Sequence, residues 1–151
     1  MEEASTSLVI YTIIPPSFFP FFALGVIETM IRRWKSDVEE LIRKSIPVRE
    51  GTLIPNQSSY VYKPSFILEE EGKKFIIEVK LRKVGLRDVA LIKGIVSGLN
   101  AQPISISPKE PDEKTRELAN KSGIIIICGK PGVVAERLRR ILFELLIPEE
   151  I

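Results

Sequence analysis

Histidine is absent from the 151 residues, and cysteine occurs once, at Cys128. The first absence removes Ser-His triads, histidine metal sites and the zinc-protease motifs built on paired histidines. The second excludes an intrachain disulfide and any cysteine cluster for zinc or iron–sulfur. Side-chain amides are almost as scarce, with two Gln and three Asn, whereas isoleucine occurs 22 times. Few labile amides alongside many Glu, Lys and Arg fit a hyperthermophile's depletion of labile amides. Neither sign of charge dominates: 22 Lys plus Arg stand against 20 Asp plus Glu, a net charge of +2. That balance excludes a polybasic nucleic-acid packing protein but leaves local positive patches open. Any chemistry falls to carboxylates, lysines and hydroxyls.

What is present is an ordinary globular composition, 44% hydrophobic and 28% charged, of a length that suits one domain. Residues 8–27 form an uncharged run of twenty, long enough to cross a bilayer. Pro15, Pro16 and Pro20 interrupt it, and no positively charged stretch precedes it, so a signal peptide is not expected. The reading adopted is a short strand over residues 8–14, a proline turn, and a helix from about Pro20 to Ser45. Ile27, Met30, Ile31, Trp34, Val38, Leu41, Ile42 and Ser45 recur on one face of that helix. This makes the run soluble core or an interface. A membrane-tethered form is the lesser alternative, and a cytoplasmic location is expected.

Beyond Ile46 the period changes to two. Gly51, Pro55 and Asn56 mark a connection, and residues 58–62 are a short strand candidate. The segment Lys63-Pro64-Ser65-Phe66-Ile67-Leu68, then Glu69-Glu70-Glu71-Gly72, then Lys73-Lys74-Phe75-Ile76-Ile77-Glu78-Val79-Lys80 reads as two β-branched runs around a turn at Glu71-Gly72. With the turn there, Glu70 faces Lys73 and Ser65 faces Glu78. Opposed residues share a face, and Lys80 joins them by alternation. Apolar residues on both faces predict a strand covered on both sides, yet it ends in Glu-x-Lys. A solvated ion pair at a strand end is the plain reading. A metal ligand beside a charge-stabilising lysine is the functional one.

Farther on, a helix is expected over residues 86–99, a strand over 103–107, and a helix over 113–122 with Asp112 as its cap and Gly123 as its stop. Residues 124–128 read as a buried strand, Gly129–Gly132 as a turn, and 133–146 as a last amphipathic helix. Gly129-Lys130-Pro131-Gly132 lacks the Gly-Lys-Ser/Thr of a phosphate-binding loop. Cys128, with no histidine partner, reads as a core thiol.

Pro64-Ser65 followed by Glu78-Val79-Lys80 resembles the PD-(D/E)xK, or restriction-endonuclease-like, nuclease superfamily. The segment from Thr115 to Ile127 looks like the corresponding part of its Mrr-like and archaeal resolvase-like members. The resemblance covers about residues 36–129. It implies an α/β fold with a mixed central sheet flanked by helices. Residues 1–35 then form an apolar extension and the start of the long first helix, and residues 130–151 a C-terminal helix, all in one domain. It also implies magnesium- or manganese-dependent phosphodiester hydrolysis. Glu78 and Lys80 are the catalytic pair it assigns, with Glu78, Val79, Ser65 and the first-helix Glu39 as the metal positions. Ser65 stands where the family has its Asp, a departure that removes one of two principal negative charges. Glu39 or Glu40, with Asp37 behind them, are the candidates to compensate. Ser36-x-x-Glu39 would be a local capping box should the helix break there. Arg82, Lys83 and Arg87 are the expected contacts to nucleic acid, DNA rather than RNA, in a protein that dimerises. A catalytically inactive module on the same fold, binding nucleic acid or a protein partner, is the alternative.

Overall fold

In a computed structural model, residues 19–53 and 62–147 are described. The chain divides into two compact units, Met1–Arg33 and Trp34–Ile151. Helix α1 is Phe19–Ser45, continuous through Ser36. The capping box at Ser36 therefore does not form: a continuous helix leaves no free amides there for it to satisfy. Pro20 lies in the first turn, where its missing N–H costs nothing. Arg43 and Lys44 in the last turn suit the negative end of the helix dipole. The expected strand over residues 8–14 lies outside the described residues, as does most of the one at 58–62. Among the described residues no helix is long and apolar enough to cross a membrane.

The second unit is built on the hairpin of β1 (Phe66–Glu70) and β2 (Lys73–Val79). Glu71 and Gly72 take φ of 52° and 78°, the doubly left-handed turn that matches the twist of two tightly joined strands. Gly72 makes that conformation cheap. The register is the expected one, Glu70 opposite Lys73 and Phe66 opposite Ile77. Helix α2 (Leu86–Val96) then leads to β3 (Gln102–Ser107), and α3 (Glu113–Lys121) to β4 (Ile125–Cys128). Both crossovers give parallel pairs, so the sheet runs β1-β2-β3-β4 and is mixed. The expected helix over residues 86–99 stops early, because the Ser97 hydroxyl turns back to the Gly94 carbonyl at 2.8 Å and competes with the helical ladder.

Strand alternation sorts the core into two layers. Phe66, Leu68, Phe75, Ile77, Ile104 and Ile106 face Val38 and Ile42 of α1 and Val134, Leu138 and Leu142 of the last helix, α4 (Pro131–Leu146). On the other face Ile67 and Ile76 meet Ile95 of α2, while Val89, Ile92 and Ala119 join α2 to α3. Burial on both faces explains why β2 and β3 read as nearly continuous apolar runs. Trp34 ties α1 to the β4–α4 turn, its indole Nε1 donating to the Gly129 carbonyl at 2.8 Å. Arg49 forms an isolated antiparallel bridge with Ile67 and covers part of the outer edge of β1. The result is the expected mixed α/β sheet flanked by helices.

Asp112 caps α3 as expected, its carboxylate accepting the Thr115 amide at 2.8 Å. Hydrogen bonding from Thr115 at the helix start holds the Asp112 carboxyl below its usual pKa. A lowered native value adds stability above the ordinary aspartate range, about 3.9, and that contribution disappears as pH falls through the native value. Asp112→Ala is therefore expected to lower Tm at pH 7, with the gap from wild type narrowing as pH falls below about 4. Thermal melts across that range check it; a gap independent of pH contradicts it.

Candidate functional site

Three parallel-running strand ends and three helix starts meet at one end of the sheet. β2, β3 and β4 finish there, and α2, α3 and α4 begin there. At this end β2 delivers Glu78 and, just past its last residue, Lys80. Glu78 alternates with Ile77 and Val79, which face α1 and α4, so it points to the opposite, α2-side face. Lys80 holds the strand direction by donating its amide to the Ile106 carbonyl at 2.7 Å. Both side chains are only 21% exposed.

Half-buried charges need partners. The Lys80 ammonium lies 3.5 Å from the Glu78 carboxylate and 3.4 Å from that of Asp88. Asp88 sits in the first turn of α2, and its other oxygen accepts the Gly85 amide at 2.8 Å. Arg82 approaches the same carboxylate from outside at 3.7 Å, with its own side chain 81% exposed. Burial pushes the Asp88 pKa up. The Gly85 N–H, Lys80 and Arg82 together outweigh that and hold the carboxyl below the usual range. Two carboxylates thus share one ammonium, with an arginine at the rim.

Asp88 is the residue that sequence reasoning missed. Its signal was a local one: Gly85-Leu86-Arg87-Asp88 places an acid three positions after a glycine cap, the half of a capping box that reaches back to the cap amide. Nothing in the spacing from Lys80 announced that the same side chain would turn to the strand end.

Ser65 stands directly before β1, in register with Glu78, and its hydroxyl accepts the Val79 amide at 3.0 Å. Glu78, Lys80 and Ser65 are therefore brought together. Val79 offers only its main chain, because its side chain is buried in the α1-side core. Glu39 is not brought to them. It rides on α1, against the other face of the sheet, where Arg43 lies 3.6 Å away. Glu40 is paired with Lys44 at 2.9 Å on an exposed helix surface. Lys83 and Arg87 are exposed near the site, like Arg82. Cys128 is buried, as expected, and touches the Ser107 hydroxyl at 3.2 Å.

Among the described residues no group of three or more His, Cys, Asp and Glu is placed to hold a metal ion. The donor types at the strand end nevertheless fit a hard divalent cation, which takes oxygen ligands and tolerates a partial protein shell. Glu78 supplies one carboxylate. Beside it in the β2–β3 ladder is Ser105, 1% exposed, whose hydroxyl oxygen has no hydrogen-bond partner among the described residues. Ser105 shares Glu78's face of the sheet.

No family model matches the chain, and no curated protein matches it. Solved structures do. AF1548, a protein of unknown function, superposes with a TM-score of 0.50 at 14% identity, over 70% of this chain and 66% of its own. A repair endonuclease from Pyrococcus abyssi gives 0.46 at 20% identity, over 64% and 46%. The DNA modification-dependent restriction endonuclease AspBHI gives 0.44 at 14% identity, over 78% and 35%. The chain thus spans about two-thirds of the first of these and less than half of the two endonucleases. At such identities the likeness concerns the fold.

Because Lys80 alone stands between two carboxylates, Lys80→Met is expected to reduce unfolding stability at pH 7 by about 1 kcal/mol. The loss is expected to be smaller in an Asp88→Asn background, where one of the two charges is already gone. Urea melts of the four proteins in the cycle measure the difference. Equal losses in both backgrounds would contradict a shared ammonium.

Proposed function

We propose that this protein is a metal-dependent nuclease of the PD-(D/E)xK type. The observation that supports this most is the placement of Glu78 and Lys80. They lie one residue apart, on one face, at the C-terminal end of a strand buried on both sides. A strand core has no need of such a pair, and three helix N-termini at the same end favour a polyanion.

In this reading Glu78 holds a magnesium or manganese ion. The Val79 main chain and Ser65 lie within the same strand end, and Glu39 has no part in it. The chemistry that such a cation supplies is polarisation of the phosphodiester and acidification of a water. The chain's own part is positional and electrostatic. The β2–β3 ladder fixes the Glu78 carboxylate. Lys80 presents a point charge that stabilises the developing negative charge on the phosphate or orients the attacking water. Arg82, Lys83 and Arg87, exposed on the loop and the first turn of α2, follow the nucleic-acid backbone, DNA in preference to RNA. A homodimer would let two such sites address two strands.

One observation favours the second reading, an inactive module that binds nucleic acid or a protein partner. Ser65 is neutral, and its oxygen is already engaged by the Val79 amide. The two readings separate in one experiment: labelled single-stranded, duplex and branched DNA, and RNA, incubated with magnesium or manganese. Wild type is expected to cleave at least one of them. Glu78→Ala and Lys80→Ala are each expected to lower the rate about a hundredfold or more. No cleavage by wild type, with activity appearing in Ser65→Asp, would overturn the nuclease reading in favour of the inactive module.

A further inference from the structure

The position opposite Glu78 that the family fills with an acid is Ser65, and its oxygen is taken by a main-chain amide. The other carboxylates considered for compensation are elsewhere. Glu39 lies with Arg43 across the sheet, and Glu40 pairs with Lys44 on the exposed surface of α1. Among the described residues Asp88 is the carboxylate that shares a partner with Glu78, both lying within 3.5 Å of the Lys80 ammonium. Asp88 is also the more enclosed of the two, 13% exposed against 21%.

We infer that Asp88, carried by the first turn of α2, supplies the second carboxylate of a divalent-cation site whose first is Glu78. The inference rests on the nuclease reading above and names the ligand that reading lacks. Three features carry it. First, the capping bond to Gly85 uses one Asp88 oxygen and orients the other to Lys80, so the acid is fixed before any ligand arrives. Second, two carboxylates restore the negative charge that the serine removed, which is what a hard dication selects. Third, the Ser105 hydroxyl is buried beside Glu78 on the same face with no protein partner. Leaving a buried hydroxyl unsatisfied is costly, and its place points to a ligand other than protein.

The test is direct binding of Mn²⁺ to the full chain, read by the loss of the free-ion signal in electron paramagnetic resonance, with no substrate. Wild type is expected to bind. Glu78→Gln and Asp88→Asn are each expected to weaken binding by about tenfold or more, while Glu39→Gln stays within about twofold of wild type. Asparagine can still accept the Gly85 amide and so keeps the cap. Asp88→Ser is a second removal of charge should the first variant lose its fold, as thermal melts would reveal. Wild-type binding that Asp88→Asn and Asp88→Ser leave unchanged overturns the inference and leaves the nuclease reading standing. No binding by wild type overturns both.

Discussion

A strand that is paired on both edges and covered on both faces cannot end in charges unless those charges neutralise one another. This constraint organises the molecule around β2. Isolated, either Glu78 or Lys80 would lose hydration on leaving water and gain little in return. Together, and with Asp88 brought in by the start of α2, they form a cluster in which one ammonium serves two carboxylates. The turn from Lys80 to Gly85 is short, so α2 must begin close to the strand end. The Gly85 amide then fixes the acid that completes the cluster. Fold and site are linked at that bond.

The same arrangement accounts for the division of labour between the two faces. The α1 and α4 face is apolar throughout and supplies the bulk of the core, with Ile77, Ile106 and Leu138 fully enclosed. The α2 and α3 face is apolar toward the hairpin tip and polar toward the strand ends, where Glu78, Ser105, Ser107 and Lys80 follow one another across the sheet. A sheet that concentrates its polar side chains at the carboxyl ends of parallel strands concentrates positive helix ends there too.

Much of this was legible in the sequence because it is local or periodic. The Glu71-Gly72 turn fixed the hairpin register by counting, and the register placed Ser65 against Glu78. The four-residue spacing of Trp34, Val38 and Ile42 gave the second half of α1 its buried face, whereas Ile27, Met30 and Leu41, expected on the same face, are exposed. The cap at Asp112 could be read from residue type alone. Three things could not. The length of α2 depended on a serine hydroxyl competing for a carbonyl. Which face of the sheet α1 would cover is a matter of crossover packing, and it separates Glu39 from Glu78. The meeting of Asp88 with Lys80 depends on the angle at which a helix leaves a strand, and that angle has no sequence period.

The central claim is that Glu78, Asp88 and Lys80 form one functional centre at the strand ends and not a structural ion pair. Crystals of the protein soaked in manganese, with diffraction recorded where the metal scatters anomalously, test it most directly. The account predicts an anomalous peak between the Glu78 and Asp88 carboxylates, with Lys80 still beside them. Well-ordered crystals whose anomalous map is empty at that place would contradict it.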